Sequence, residues 1–477
     1  MDERPRKKRK RKLLELALGP VGSAILHVLV IVVLIKLVVF SSSGRQAKIE
    51  VIIMEPETVD LEELKRELEE LKEIQVVDAL TPPDISIDAE MLEEDVEEFD
   101  DPDPNVDFES LDVIDDIQSP LVMRGLYQGR TAGGRQDALR RHARKWGQYT
   151  EAAVIRALEW LKKNQNEDGS WDDDNHAGMT GLGLLTFLSH GETPTSEKYG
   201  LTVEKAIRWL TEKQGEDGNW PATGSHHVYG QGIAAYAVAE AYGLTQIPSL
   251  RTAMERSAQV LVQGQQPGGG WDYDYRKGPR RDTSVSGWQI QALKAAYIAD
   301  PGLPGVRQAL RKAVVDLERA QNSVGRFSYG TTPGEGSIGM TGVGVLCLQL
   351  LGEAKSEACM KGAEYLVKKD FDLSWDPEGG GGHDLYGWYY ITQARFHHGK
   401  NWKAWNNMFA KVFVDAQNSD GSWLAPGGEA AKGKVYGTTF AALTLQVYYR
   451  LLPTYQAKAV EVEEVEEEED EELVEVI

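Results

Sequence analysis

The sequence predicts an all-α fold, an α6–α6 toroid in which six helical hairpins close into a double ring. Three observations predict it. A seven-residue loop with a long polar residue at its start and an aromatic at its end recurs six times after residue 148. Each copy follows an amphipathic run with apolar residues at spacings of three and four, and precedes a run that is more apolar and richer in small residues. Successive loop aromatics lie 48 to 56 residues apart, a helical-hairpin repeat rather than a series of separate domains.

The six loops read QNEDGSW from Gln165 to Trp171, QGEDGNW from Gln214 to Trp220, QQPGGGW from Gln265 to Trp271, QNSVGRF from Gln321 to Phe327, KDFDLSW from Lys369 to Trp375 and QNSDGSW from Gln417 to Trp423. The amphipathic helices are expected near 151–165, 202–214, 250–265, 306–321, 357–369 and 402–417. The apolar ones are expected near 179–190, 229–242, 282–298, 340–351, 384–397 and 435–451. Apolar helices are buried all round, so they belong in an inner ring sheathed by the amphipathic ones. An open solenoid is the structural alternative, but no repeat at either end reads as a polar cap.

These loops resemble the QW motif of the prenyltransferase and squalene-cyclase repeat family, over roughly 300 residues of the chain. The resemblance implies that the Gln and the aromatic tie neighbouring repeats together, so both are structural. It also places the family's chemistry where the loops lead into the inner helices. Converging helix N-termini favour anions and acceptor-rich ligands.

The family's own active residues are largely missing. The class II cyclase pattern of an Asp-rich acid before a Thr is reduced to Asp282 in PRRDT, beside Arg280 and Arg281. Adjacent cations hold a carboxyl ionised and make it a poor proton donor. In the prenyltransferase zinc pattern, Ser284 stands where a Cys is required and Gly387 where a His is required. No cofactor is therefore expected, zinc included, and no metal site. Cys347 and Cys359 form no disulfide framework, and Cys347 reads as a small buried apolar residue. The catalytic candidates that remain are Asp282, His226 and His383, with a ligand-binding rim of His176, His227, Tyr229, Arg281, Asp384, Tyr386 and Tyr436. Trp288, Trp388, Tyr389 and Tyr390 read mainly as core, some of them lining a funnel.

The rest of the 477 residues is sharply uneven in charge. Residues 1–12 carry eight Lys or Arg, and 13–40 is an almost wholly apolar run. That run is long enough for one transmembrane helix with a cytoplasmic N-terminus, which puts the toroid in the periplasm of an inner-membrane protein. Residues 60–118 hold 24 Asp and Glu, and 457–477 hold 11. Such blocks are expected to be disordered, and they argue against nucleic acid as a partner. The expected organisation is a stalk and linker over 41–148 with a short helix near 60–74, the toroid over 149–453, and an acidic tail from 454.

Ser23 and His27 lie four apart in the apolar run, on one helix face. With the basic start and the following AKIEVIIMEPETVDLEE, this segment resembles the anchor of TonB-type energy transducers. The resemblance covers about the first 60 residues and implies docking to ExbB/ExbD-type motor proteins. Taken together, the sequence leans towards a membrane-anchored periplasmic toroid that binds a ligand or partner without cyclase or prenyltransferase catalysis. The alternative is an enzyme acting on an isoprenoid or polysaccharide with rearranged rim residues.

Overall fold

The computed structural model describes residues 127–171, 175–222, 227–330, 333–371, 373–379 and 384–450. The expected membrane helix at 13–40 with Ser23 and His27, the stalk helix near 60–74 and the tail from 454 lie outside the described residues. Among the described residues, no helix is long and apolar enough to cross a membrane.

A short helix, α1 (Ala132–Ala138), precedes twelve longer ones that make six hairpins. They are α2 (Gly147–Lys163) with α3 (His176–His190), α4 (Gly200–Lys213) with α5 (His227–Thr245), and α6 (Pro248–Gly264) with α7 (Thr283–Ala299). Then follow α8 (Val306–Ala320) with α9 (Ile338–Leu350), α10 (Glu357–Lys368) with α11 (Asp384–His398), and α12 (Trp402–Asp415) with α13 (Gly433–Leu445). The even-numbered helices bury one stripe: α8 buries Val306, Ala309, Leu310, Ala313, Asp316, Leu317 and Ala320. The odd-numbered ones are buried nearly all round, as α7 is from Thr283 to Ile298. Each odd-numbered helix from α3 onward packs on the next, and α13 packs back on α3. Each even-numbered helix from α4 onward lies against the odd-numbered helices on either side of it in sequence, and α2 against α3 and α13. This is an all-α toroid.

The loops hold the hairpins by one repeated set of bonds. The Gln165 side-chain amide donates to its own loop at Gly169 O (2.9 Å) and to Thr202 O on α4 (3.0 Å). Gln214, Gln265 and Gln321 likewise reach Ala253, Ala309 and Ala358 on the next even-numbered helix. Gln417 reaches Ala153 O on α2 (2.9 Å), so the sixth loop grips the first helix. The indole N–H groups of Trp171, Trp220, Trp271 and Trp423 donate to carbonyls in the last turn of the preceding helix, where helical partners run out. The ring of Trp171 lies over Gly183, where a Cβ would come within 2.6 Å of it. The fifth loop departs from the set: Trp375 donates instead to Leu424 O in the sixth loop (2.9 Å).

Replacing Gln417 with alanine removes the donor shared by Ala153 and Gly421. The variant is expected to lose about 1–3 kcal/mol, read as a lower melting temperature. An unchanged melt would mean that the sixth loop does not help to hold the first helix.

Residues 127–146, at the end of the expected stalk and linker, pack against the C-terminal end of α3. Arg130 Nη1 donates to Leu188 O (3.2 Å), and Arg135 Nη1 to Arg130 O (2.8 Å) and His190 O (2.7 Å). Unpaired carbonyls at helix C-termini attract such cations. His190 sits in this contact, with Nε2 3.2 Å from Glu151 Oε1 and Nδ1 2.8 Å from Glu192 Oε1. Burial opposes its charge, but the bonds to the two carboxylates outweigh burial and Arg135, and the pKa is raised. A raised histidine pKa contributes stability that is full below the unfolded value and lost as pH rises through the folded one. Thermal melts should therefore fall between about pH 6 and 8 more steeply for the wild type than for His190→Gln. Parallel curves would contradict this.

Candidate functional site

Each loop delivers the chain to the start of an odd-numbered helix, and these starts meet. The Cβ that Gly339 of α9 lacks would lie 3.4 Å from Gly387 Cα of α11. At this rim Asp282 is the N-cap of α7 and is 7% exposed. Its carboxylate accepts from Ser284 N (2.8 Å), from Val285 N (3.4 Å) and from the Ser284 hydroxyl. The hydroxyl of Tyr229, on α5, lies 2.5 Å from Ser284 Oγ. Tyr386, on α11, donates its hydroxyl to Ser284 O (2.8 Å).

A second carboxylate meets the first through Tyr386. Glu429, in a 3-10 turn before α13, is fully buried. Its Oε2 accepts from Leu385 N (2.8 Å) and Tyr386 N (3.3 Å), and its Oε1 accepts from the Tyr436 hydroxyl (2.5 Å). Tyr386 thus binds Glu429 with its backbone N–H and the Asp282 turn with its hydroxyl. Lys432 Nζ stands 3.5 Å from Glu429 Oε1 and 4.5 Å from the centre of the Tyr436 ring. Burial above all raises the Tyr229, Tyr386 and Tyr436 hydroxyls well above their ordinary value, so these phenols keep their protons.

Beneath the rim, aromatic rings from α7, α11 and α13 meet. Trp288 of α7 stacks on Tyr389 of α11 (5.8 Å, 19°) and meets Tyr390 and Phe440 edge-on. Trp388 points elsewhere, against Trp375 and Phe413.

Of the expected site residues, Asp282, Tyr229, Tyr386 and Tyr436 come together. Arg281 does not offer its charge to a ligand. Its guanidinium is 2% exposed and fastened to Asp316 of α8, with Nε–Oδ2 at 2.8 Å and Nη2–Oδ2 at 2.6 Å. His176 packs edge-on against Trp209 of α4, and His227 is exposed at the start of α5. Asp384 begins α11. His226 and His383 lie outside the described residues. Among the described residues, no three His, Cys, Asp or Glu are grouped to hold a metal ion. Cys347 and Cys359 are buried free thiols, Cys359 pushed up to about 12 by burial.

Sequence reasoning missed Glu429. It stands in GGEAAKGK, a stretch with the composition of a surface loop. No local signal marks it, because its burial comes from the meeting of the fifth and sixth hairpins.

No family model matches the chain, and no curated protein matches it in sequence. Solved structures do resemble it. An α-1,6-mannanase from Salegentibacter sp. is 13% identical, with 64% of this chain and 99% of that one covered at a TM-score of 0.49. An alanine variant of the type II terpene cyclase MstE from Scytonema is 15% identical, with 64% and 98% covered at 0.43. A D-mannose isomerase is 12% identical, with 63% and 97% covered at 0.46. These proteins are enzymes, and the expectation of a toroid that binds without catalysis, with its leaning against an enzyme, is corrected accordingly. Loss of an Asp-rich acid and of a zinc set removes two chemistries from a ring, not catalysis as such.

Proposed function

We propose that this chain is an enzyme that cleaves a glycan, built as a closed double ring with odd-numbered helices inside and even-numbered ones outside. The observation that carries the reading is Tyr386, which links two buried carboxylates, Glu429 through its N–H and Asp282 through Ser284. Cleaving a glycosidic bond needs a group that gives a proton to the leaving oxygen and a carboxylate that acts on the other side. The rim holds two carboxylates for the second of these roles, Glu429 beside Tyr436, and Asp282 joined to Tyr229 by way of the Ser284 hydroxyl. Phenol and carboxylate oxygens also match the hydroxyls of a sugar. An isoprenoid cyclase instead needs an acid that gives up its proton, and Asp282 is the acceptor in each of its bonds to Ser284 and Val285.

Release of new reducing ends from a panel of neutral and acidic polysaccharides by the full chain tests this. Turnover of squalene or geranylgeranyl diphosphate with no polysaccharide cleaved would favour the isoprenoid reading and reject this one. We further propose an inner-membrane anchor at 13–40 that keeps the ring in the periplasm, with Ser23 and His27 as the contact for an ExbB/ExbD-type motor. Crosslinking from position 27 that captures no such protein would reject the contact.

A further inference from the structure

A second polar cluster lies on the other side of Trp288 from the rim, towards the C-terminal ends of the odd-numbered helices. Arg130 Nη2 pairs with Glu240 Oε2 at 2.7 Å, each side chain 1% exposed. Tyr236 lies one turn before Glu240 on α5, is wholly buried, and has its ring 6.5 Å from Trp288. Three atoms here are buried with no hydrogen-bond partner: Arg130 Nε, Glu240 Oε1 and the Tyr236 hydroxyl. The charges of Glu240, Arg450 and Arg130 all act on Tyr236, and Arg450 Nη2 donates to the Tyr389 hydroxyl (2.7 Å). Burial first, then Glu240, raises the Tyr236 hydroxyl well above its ordinary value, so it stays an O–H donor.

Buried polar groups in native folds are nearly always paired, and several unpaired at one place ask for a guest. Arg130 Nε–H and the Tyr236 O–H are donors, and Glu240 Oε1 is an acceptor. A guest that satisfies all three carries acceptor oxygens and one O–H of its own. Guanidinium groups favour oxyanions among such guests.

We propose that Arg130, Tyr236 and Glu240 form a second binding site, distinct from the rim, for an oxyanion that carries a hydroxyl proton. Hydrogen phosphate and 2-hydroxycarboxylates share that chemistry. Glu240 sets the selectivity. Sulfate has no proton at neutral pH and would press a lone pair against the carboxylate.

Calorimetric titration of the full chain at pH 7 with inorganic phosphate, lactate and sulfate tests the site. Phosphate or lactate is expected to bind, whichever does so naming the source, and sulfate is expected not to. Tyr236→Phe leaves the Arg130–Glu240 pair in place and should weaken binding about 10-fold. Glu240→Gln supplies an N–H donor and should admit sulfate. The proposal is overturned if neither phosphate nor lactate binds, if sulfate binds as tightly as they do, or if Tyr236→Phe binds with unchanged affinity. Where none of the three anions binds, a bridging water is what completes the cluster; in the other two cases the anion is held elsewhere or without selection by these residues.

Discussion

Asp282→Asn and Glu429→Gln are each expected to lower kcat/KM on the cleaved glycan by about 100-fold or more while the chain melts as the wild type does. The two halves of that expectation rest on different atoms. Asp282 caps α7, and asparagine caps a helix about as well as aspartate. The amide oxygen still accepts from the N–H groups of Ser284 and Val285, so the turn is kept. What is lost is the carboxylate itself, which the Ser284 hydroxyl joins to Tyr229. Glutamine at 429 similarly keeps an acceptor for Leu385 N and Tyr386 N but no longer sets a carboxylate beside the Tyr436 hydroxyl. Asp282→Ala serves as the contrast, because it removes the cap and should cost about 1 kcal/mol of stability as well. If the asparagine and glutamine variants turn over like the wild type, the two carboxylates are helix caps and no more.

Gly269→Ala is expected to destabilise the fold by at least about 3 kcal/mol, whereas Gly268→Ala next to it should be close to neutral. Gly269 has a φ of +108°, which a residue with a Cβ adopts only under strain. That Cβ would also lie 2.2 Å from the Lys312 carbonyl oxygen, on the backbone of α8. Backbone in a packed helix cannot step aside as a side chain does, so α8 must shift or the loop must open. At Gly268 the nearest atom to a new Cβ is the Asp316 carboxylate at 4.0 Å, an ordinary contact. Melting curves of the two variants decide the matter. The same geometry recurs at Gly169, Gly218, Gly325 and Gly421, where a Cβ would meet a carbonyl oxygen of the next even-numbered helix, or of α2 in the case of Gly421. Equal melting temperatures for the two variants would mean that the loop glycine is not what admits the neighbouring helix.

The ring was legible because its repeat is local. Gln165 and Trp171 sit six residues apart in one loop, and the Gly-containing turn between them repeats with enough fidelity to be counted. The hydroxyls and amides that bind the loop aromatics' N–H groups were not legible. Thr180, Gln231, Ser286, Thr341 and Thr438 serve Trp171, Trp220, Trp271, Phe327 and Trp423, but they differ in type and in distance along the chain. Arg281 was read as a rim cation because it adjoins Asp282, when its partner lies on a helix 35 residues away. One sign of that pairing was present: Asp316 falls within the apolar stripe of α8, where an acid needs a buried cation. Asp282 was found because it survives in a recognisable pattern, and Glu429 was not because it belongs to no pattern and is buried only where the fifth and sixth hairpins meet.

The crystal structure of the Glu429→Gln chain soaked with an oligosaccharide tests the central claim most directly. A sugar ring is expected at the rim, with its glycosidic oxygen within hydrogen-bond reach of Asp282 or of the residue at 429. The Tyr386 hydroxyl should by then have been drawn from Ser284 O to the sugar. A sugar bound elsewhere on the ring, with the Tyr386–Ser284 bond intact, would contradict it.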